Sequence, residues 1–192
     1  MTGTLLQQVR VIDPATQTDQ TADVWIESGR FRAIAPHLDR PDSEVEIIDG
    51  TGKILAPGLI DLYSHSSEPG NEPRETLATL LAGAIAGGVT RLGILPDTDP
   101  PLDQPATIRH LLNLADATEV APRPTLLPWA ALTLGAQGEH MTELAAIAGT
   151  ADLALAGFAD GQPLSHPVLL RRLLEYAHPL QRPIALWPCD RA

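Results

Sequence analysis

The sequence predicts an α/β fold in which successive parallel βα units follow a smaller all-β segment. Three observations predict it. Beyond residue 55, apolar strand-like runs alternate with amphipathic helix-like runs at roughly 30-residue spacing, the pattern of consecutive βα units. Those strand-like runs are apolar along their length, as strands buried on both faces are. Residues 1–55 instead carry only short β-like runs separated by turn residues. The expected division is therefore an N-terminal β segment, 1–55, and a βα region, 56–192.

In the first segment the β-like runs are Thr4–Ile12, Asp23–Glu27, Phe31–Pro36 and Val45–Asp49. Asp13-Pro14 favours a turn after the first, and Ser28-Gly29 offers a hairpin turn between the second and third. So small a segment buries little core by itself.

In the second region Ile54–Tyr63 reads as a strand, despite Pro57 and Gly58. Thr76–Ala86 reads as a helix with Leu77, Leu80, Leu81, Ala84 and Ile85 on one face, ended by Gly87-Gly88. Thr90–Leu95 is a strand, and Pro105–Ala115 a helix with Ile108, Leu111, Leu112 and Ala115 in register. Strands Thr125–Leu132 and Leu153–Phe158 flank a helix at Met141–Ala148. Ser165 is a plausible N-cap for a helix over Pro167–Ala177, and Pro183–Trp187 reads as a fifth strand.

Five strands and four helices fit either a doubly wound sheet or part of a (β/α)8 barrel. A whole barrel needs about 250 residues, so five strands amount to little more than half of one. Half a barrel exposes strand edges at both ends. The expectation is that the sequence is a fragment, or that another chain supplies the remainder.

Composition excludes several roles. The net charge is −11 and the pI about 4.8, which argues against nucleic acid or an anionic membrane as partner. Cys189 is the sole cysteine, so an internal disulfide and a thiolate metal cluster are both ruled out. Neither a secretory leader nor a long apolar span is visible, and a cytoplasmic location is the default expectation.

In parallel α/β folds chemistry sits at the C-terminal ends of the strands. Strand one ends in Asp61-Leu62-Tyr63-Ser64-His65-Ser66-Ser67-Glu68-Pro69-Gly70. Strand two ends in Leu95-Pro96-Asp97-Thr98-Asp99-Pro100-Pro101-Leu102-Asp103, strand four in Gly157-Phe158-Ala159-Asp160-Gly161, and strand five in Trp187-Pro188-Cys189-Asp190. With Ala56-Pro57-Gly58-Leu59-Ile60-Asp61-Leu62, Ala86-Gly87-Gly88-Val89-Thr90 and Ala130-Ala131-Leu132-Thr133, these segments resemble dihydroorotases of the amidohydrolase superfamily, over nearly the whole chain. The resemblance implies the first five βα units of a (β/α)8 TIM-type barrel, preceded by a small β-sandwich segment. It also implies zinc: in that family a metal-bound hydroxide opens the cyclic amide of dihydroorotate to carbamoyl aspartate, with a general base from a later strand.

Several positions depart from the family pattern. The family's paired metal histidines correspond here to Tyr63 and His65. A phenol with an ordinary pKa near 10 is a poor zinc ligand at neutral pH, so Tyr63 is expected to fill the barrel mouth. His65 could still ligate, or serve as a hydrogen-bonded polar histidine. Asp160, before Gly161, matches a ligand aspartate of one branch, yet Asp-Gly is also a common turn pair. A bridging lysine is not evident.

Trp187 stands where a ligand histidine is expected, and its indole nitrogen only donates. Cys189 nearby reads as a soft ligand or, more simply, a small apolar side chain. Ser67 replaces an arginine, and Asp97 an asparagine, at the family's substrate contacts. Asp99 and Asp103 read as turn and helix-start residues, and His110, His140, His166 and His178 as surface or packing residues.

Two functions follow as expectations. One is a non-catalytic, structural dihydroorotase-like protein of pyrimidine biosynthesis, self-associating or assembling with aspartate transcarbamoylase. In this reading zinc binding is doubtful. The other is an active metal-dependent cyclic amidohydrolase with an altered site. In either case the isolated 192-residue chain is expected to be inactive. A ligand-binding barrel without turnover is a third class.

Overall fold

A computed structural model describes residues 3–40 and 45–188. The chain divides into two compact units, Met1–Pro57 and Gly58–Ala192.

Among the described residues the first unit is one sheet of five strands: β1 (Gly3–Asp13), β2 (Thr18–Glu27), β3 (Arg30–Ala35), β4 (Val45–Asp49) and β5 (Ile54–Leu55). The order is β3-β2-β1-β4, with β5 also pairing β1. The β2–β3 hairpin turns at Ser28 and Gly29, both at positive φ, the geometry that matches a tight hairpin to strand twist. Val9, Val11, Ala22 and Val24 form the small core.

A bulge interrupts the β1–β2 register between Leu6 and Val9. There Gln8 adopts φ 56° and turns its N–H out of the ladder. That N–H donates to Asp23 Oδ1 (2.8 Å), Gln8 Nε2 donates to the same oxygen (3.2 Å), and the Leu38 N–H donates to Asp23 Oδ2 (2.9 Å). The buried carboxylate thus answers the donors that the bulge frees.

The second unit is a parallel sheet of β6 (Leu59–Ser64), β7 (Val89–Ile94), β8 (Thr125–Ala131) and β9 (Gly157–Ala159), in that order. Helices α1 (Leu77–Ala86), α2 (Pro105–Ala117), α3 (Leu144–Ala148) and α4 (Pro167–Ala177) follow the strands in turn. Leu77 and Leu81 of α1 and Ile108 and Leu111 of α2 pack with Leu92, Ile94 and Phe158 of the sheet. These are the helix faces that the periodicity predicts. At the outer edge of the sheet, β6 leaves Leu59 62% and Leu62 66% exposed.

Several boundaries differ from expectation, among them β2, which begins at Thr18 rather than Asp23, and four differ for a clear local reason. The run Ile54–Tyr63 is two strands that serve different sheets, because Pro57 lacks the N–H a continuous ladder needs. Strand Leu153–Phe158 shortens to Gly157–Ala159. Pro128 of β8 accepts from the Ala156 N–H (3.0 Å) but has no N–H to return, so the ladder begins one residue later.

Pro183–Trp187 is not a strand. It is held to β9 by a bridge at Phe158 and Ile184, through the Phe158 N–H to the Pro183 carbonyl and the Ala185 N–H to the Phe158 carbonyl (both 2.9 Å). Helix Met141–Ala148 starts at Leu144, because Met141 bridges Thr133 and the Thr142 hydroxyl donates to the Ala131 carbonyl (2.8 Å). In addition, His166 rather than Ser165 caps α4, its Nδ1 accepting from the Leu169 N–H (3.2 Å).

Candidate functional site

Strand β6 ends at Ser64, whose carbonyl accepts from the Leu95 N–H (2.8 Å), so the ends of β6 and β7 are tied together. Beyond that bond, His65 and Asp97 face each other. His65 Nδ1 lies 2.6 Å from Asp97 Oδ2, and both side chains are open to solvent. A carboxylate only accepts, so Nδ1 carries the proton and Nε2 is turned free.

Asp160, just past β9, is only 2% exposed. The Thr133 N–H donates to its Oδ1 (2.9 Å) and the Thr133 hydroxyl to its Oδ2 (2.7 Å). Burial pushes its carboxyl above the usual range, against the opposing pull of those hydrogen bonds. Gly161 follows at φ 69°, so the Asp-Gly pair also makes the expected turn.

Tyr63 is partly covered. Burial, and then the charges of Asp97 and Asp160, push its phenol further above its ordinary value. Trp187 is half exposed. It shares a recess of about 390 Å³ with Tyr63, His65 and Leu186.

Two more recesses form a series with this one, each sharing residues with the next. One, of about 640 Å³, runs from His65 and Ser67 along the loop after β6 to Arg74, with Asp97 and Asp99 opposite. The other, of about 380 Å³, lies between Asp97 and Asp160. His65 borders the first two recesses and Asp97 the last two, so all six positions singled out in the sequence gather at the C-terminal ends of the strands. Cys189 and Asp190 lie outside the described residues.

Two of the positions at the mouth supply no ligand for a divalent ion. The Tyr63 phenol is held protonated and Trp187 only donates, whereas the Asp160 carboxylate, hydrogen-bonded by Thr133, and His65 Nε2 keep lone pairs. Among the described residues no group of three or more His, Cys, Asp or Glu is placed to hold a metal ion.

Sequence reasoning overlooked two contributors. Thr133 ends the segment Ala130-Ala131-Leu132-Thr133, which carries part of the resemblance but is given no role by it, and it supplies both of the Asp160 hydrogen bonds described above. Arg74 sits well past the strand end, in a loop whose path only the fold reveals. The one signal available was its place in the connection after a barrel-type strand.

Comparison with known proteins bears on the same residues. The family described as dihydro-orotase-like matches residues 52–160. A dihydroorotase of Syntrophobacter fumaroxidans is 35% identical over 183 residues, covering 94% of this chain and 40% of the relative. A probable dihydroorotase-like protein of Synechocystis sp. is 37% identical over 202 residues, covering 95% of this chain and 45% of the relative. The chain therefore spans less than half the length of these curated relatives. The solved L-hydantoinase (dihydropyrimidinase) of Arthrobacter aurescens superposes with a TM-score of 0.76 at 17% identity, over 97% of this chain and 41% of that one. That likeness shows the fold, one side of a (β/α)8-type barrel. On the sequence match through β6 to β9, the chain belongs to the dihydroorotase-like family.

Proposed function

We propose that this chain is a dihydroorotase-like component of pyrimidine biosynthesis whose barrel mouth no longer performs metal-dependent hydrolysis and whose role is structural. The observation that carries the reading is the donor set at the strand ends. Tyr63 and Trp187 stand where the family resemblance calls for histidines, and Asp160 is engaged by Thr133. In this role the barrel serves assembly, with copies of itself or with aspartate transcarbamoylase.

The test is zinc content and dihydroorotate hydrolysis of the full-length protein after gentle purification. Less than about a tenth of an equivalent of zinc, with no turnover, supports the reading. Stoichiometric zinc or measurable turnover overturns it. Installing Tyr63→His and Trp187→His together is expected to raise zinc content.

One observation favours a second reading, an active cyclic amidohydrolase with an altered site. The carboxylate of Asp97 holds His65 Nδ1 and leaves Nε2 free, the arrangement that orients many metal-binding histidines. Zinc lost on His65→Ala would select this second reading.

A further inference from the structure

Where the family resemblance calls for histidines, Tyr63 and Trp187 bring two aromatic rings to one recess of about 390 Å³, completed by His65, Leu186 and Pro188. Both aromatic side chains keep exposed area there. The backbone that carries them is fixed. A bulge interrupts the β6–β7 register between Asp61 and Ser64. Asp61 closes it, its Oδ1 accepting from the Tyr63 N–H (3.0 Å) and its Oδ2 from the Ser64 hydroxyl (2.6 Å). The Trp129 indole N–H, two strands away on β8, donates to the Leu62 carbonyl (2.8 Å). Gly93 of β7 permits that approach, since a Cβ there would lie 2.5 Å from the Leu62 oxygen. Trp187 follows two residues after Ala185, whose N–H donates to the Phe158 carbonyl of β9.

Charge at the recess has one sign. The carboxylates of Asp97 and Asp160 both act on the Tyr63 phenol, so their negative field reaches it. Among the described residues the lining holds no Lys or Arg, and the His65 Nδ1 proton is committed to Asp97. Ring faces, apolar walls and a negative field together attract a cation through the aromatic quadrupoles. A metal ion meets two side chains that offer it no lone pair. A primary ammonium is strongly hydrated and gives up that water reluctantly. An alkylated ammonium spreads its charge over methyl groups, which pack on rings and need no hydrogen bond.

We infer that the recess between Tyr63 and Trp187 binds a small organic cation bearing a quaternary or otherwise alkylated ammonium group. The two rings take the cation, Leu186 and Pro188 cover its alkyl groups, and Asp97 and Asp160 supply the compensating charge. The charge is opposite to that of dihydroorotate, and the reversal follows from the two aromatic residues. The inference rests on the proposed function only in taking the mouth to be free of metal.

Titration calorimetry on the full-length protein tests this with tetramethylammonium, choline and the neutral isostere of choline in which a tert-butyl group replaces the trimethylammonium. Saturable binding is expected from both cations. The isostere keeps the shape and loses the charge, and is expected to bind about tenfold or more weakly. Trp187→Ala is expected to weaken choline binding about tenfold, and Trp187→Phe and Tyr63→Phe much less, because each keeps a ring. An unchanged melting temperature establishes that the variants fold, and the isostere comparison needs no variant. Absence of saturable binding by both cations overturns the inference. So does an isostere that binds as well as choline, or choline binding that a folded Trp187→Ala leaves unchanged. Zinc content is measured on the same samples. Zinc-free protein that binds neither cation fails this inference alone, whereas zinc-loaded protein that binds choline fails the proposed function alone.

Discussion

Asp23 and Asp160 are both buried aspartates that accept hydrogen bonds from backbone N–H groups, yet burial and hydrogen bonding settle oppositely in them. Asp23 is 1% exposed, and its carboxyl is held below the usual range, first by the Gln8 N–H and then by the Leu38 N–H, which together outweigh desolvation. Asp160 is pushed above its usual range, because desolvation outweighs what Thr133 supplies. The difference lies in donors and in depth. Asp23 lies under a thin cover and meets two backbone donors, a side-chain amide and, at 3.3 Å, His37. Asp160 lies beneath the strand ends and meets the N–H and hydroxyl of Thr133, with a smaller contribution from the Leu132 backbone. The first aspartate stabilises a β-bulge. The second stores an unfavourable charge at the place where the fold family does its chemistry.

The largest effect expected from this contrast is that of Asp23→Asn. An amide turns a donor toward a backbone donor and leaves one N–H without a partner, at a cost of about 2–3 kcal/mol to the first unit. Hydrogen exchange of the β1 and β2 amides reads it, and a cost equal to that of Asp160→Asn would break the comparison.

The pH dependence of the same exchange sharpens the contrast. The folded value of Asp23 is depressed, so its contribution is present above the unfolded value near 3.9 and is lost as pH falls through the folded value. In Asp23→Asn that acid dependence should flatten.

Thr133→Val comes next. It deprives Asp160 of its hydroxyl donor and the Gly138 N–H of its acceptor (2.8 Å), at about 1–2 kcal/mol by denaturant unfolding. Asp160→Asn is expected to be the mildest, within about 1 kcal/mol. The amide carbonyl still accepts from the Thr133 N–H, the hydroxyl can accept from the new amide, and a disfavoured charge is gone. A loss of more than about 3 kcal/mol would show that the charge itself is structural.

Local patterns in the sequence carried much of the fold. The faces of α1 and α2 followed from apolar spacing alone, and Pro167–Ala177 has the bounds that its proline and apolar register suggest. Pro57 divided what read as one strand between two sheets, and Pro128 delayed the β8–β9 ladder. In both cases the missing N–H was visible in the sequence, but its consequence depended on which neighbour came to pair there. At the site, Tyr63, His65, Ser67, Asp97, Asp160 and Trp187 could be named because each sits at or just past a strand end that the sequence predicts, although the last of those runs forms only a bridge. Thr133 could not, because its importance lies in the Asp160 carboxylate that it meets.

By itself the sequence determined the alternation of strands and helices, the apolar faces that meet in the core, and the row of strand-end residues where function is expected. These are short-range properties, set by side-chain period and backbone sterics over a few residues. Only the tertiary structure decided that Asp23 answers Gln8 across 15 residues, that Thr133 meets Asp160 across 27, and that His65 pairs with Asp97 across 32. Partners so far apart are chosen by how strands register and loops close, and no local pattern encodes the balance of burial and hydrogen bonding that results.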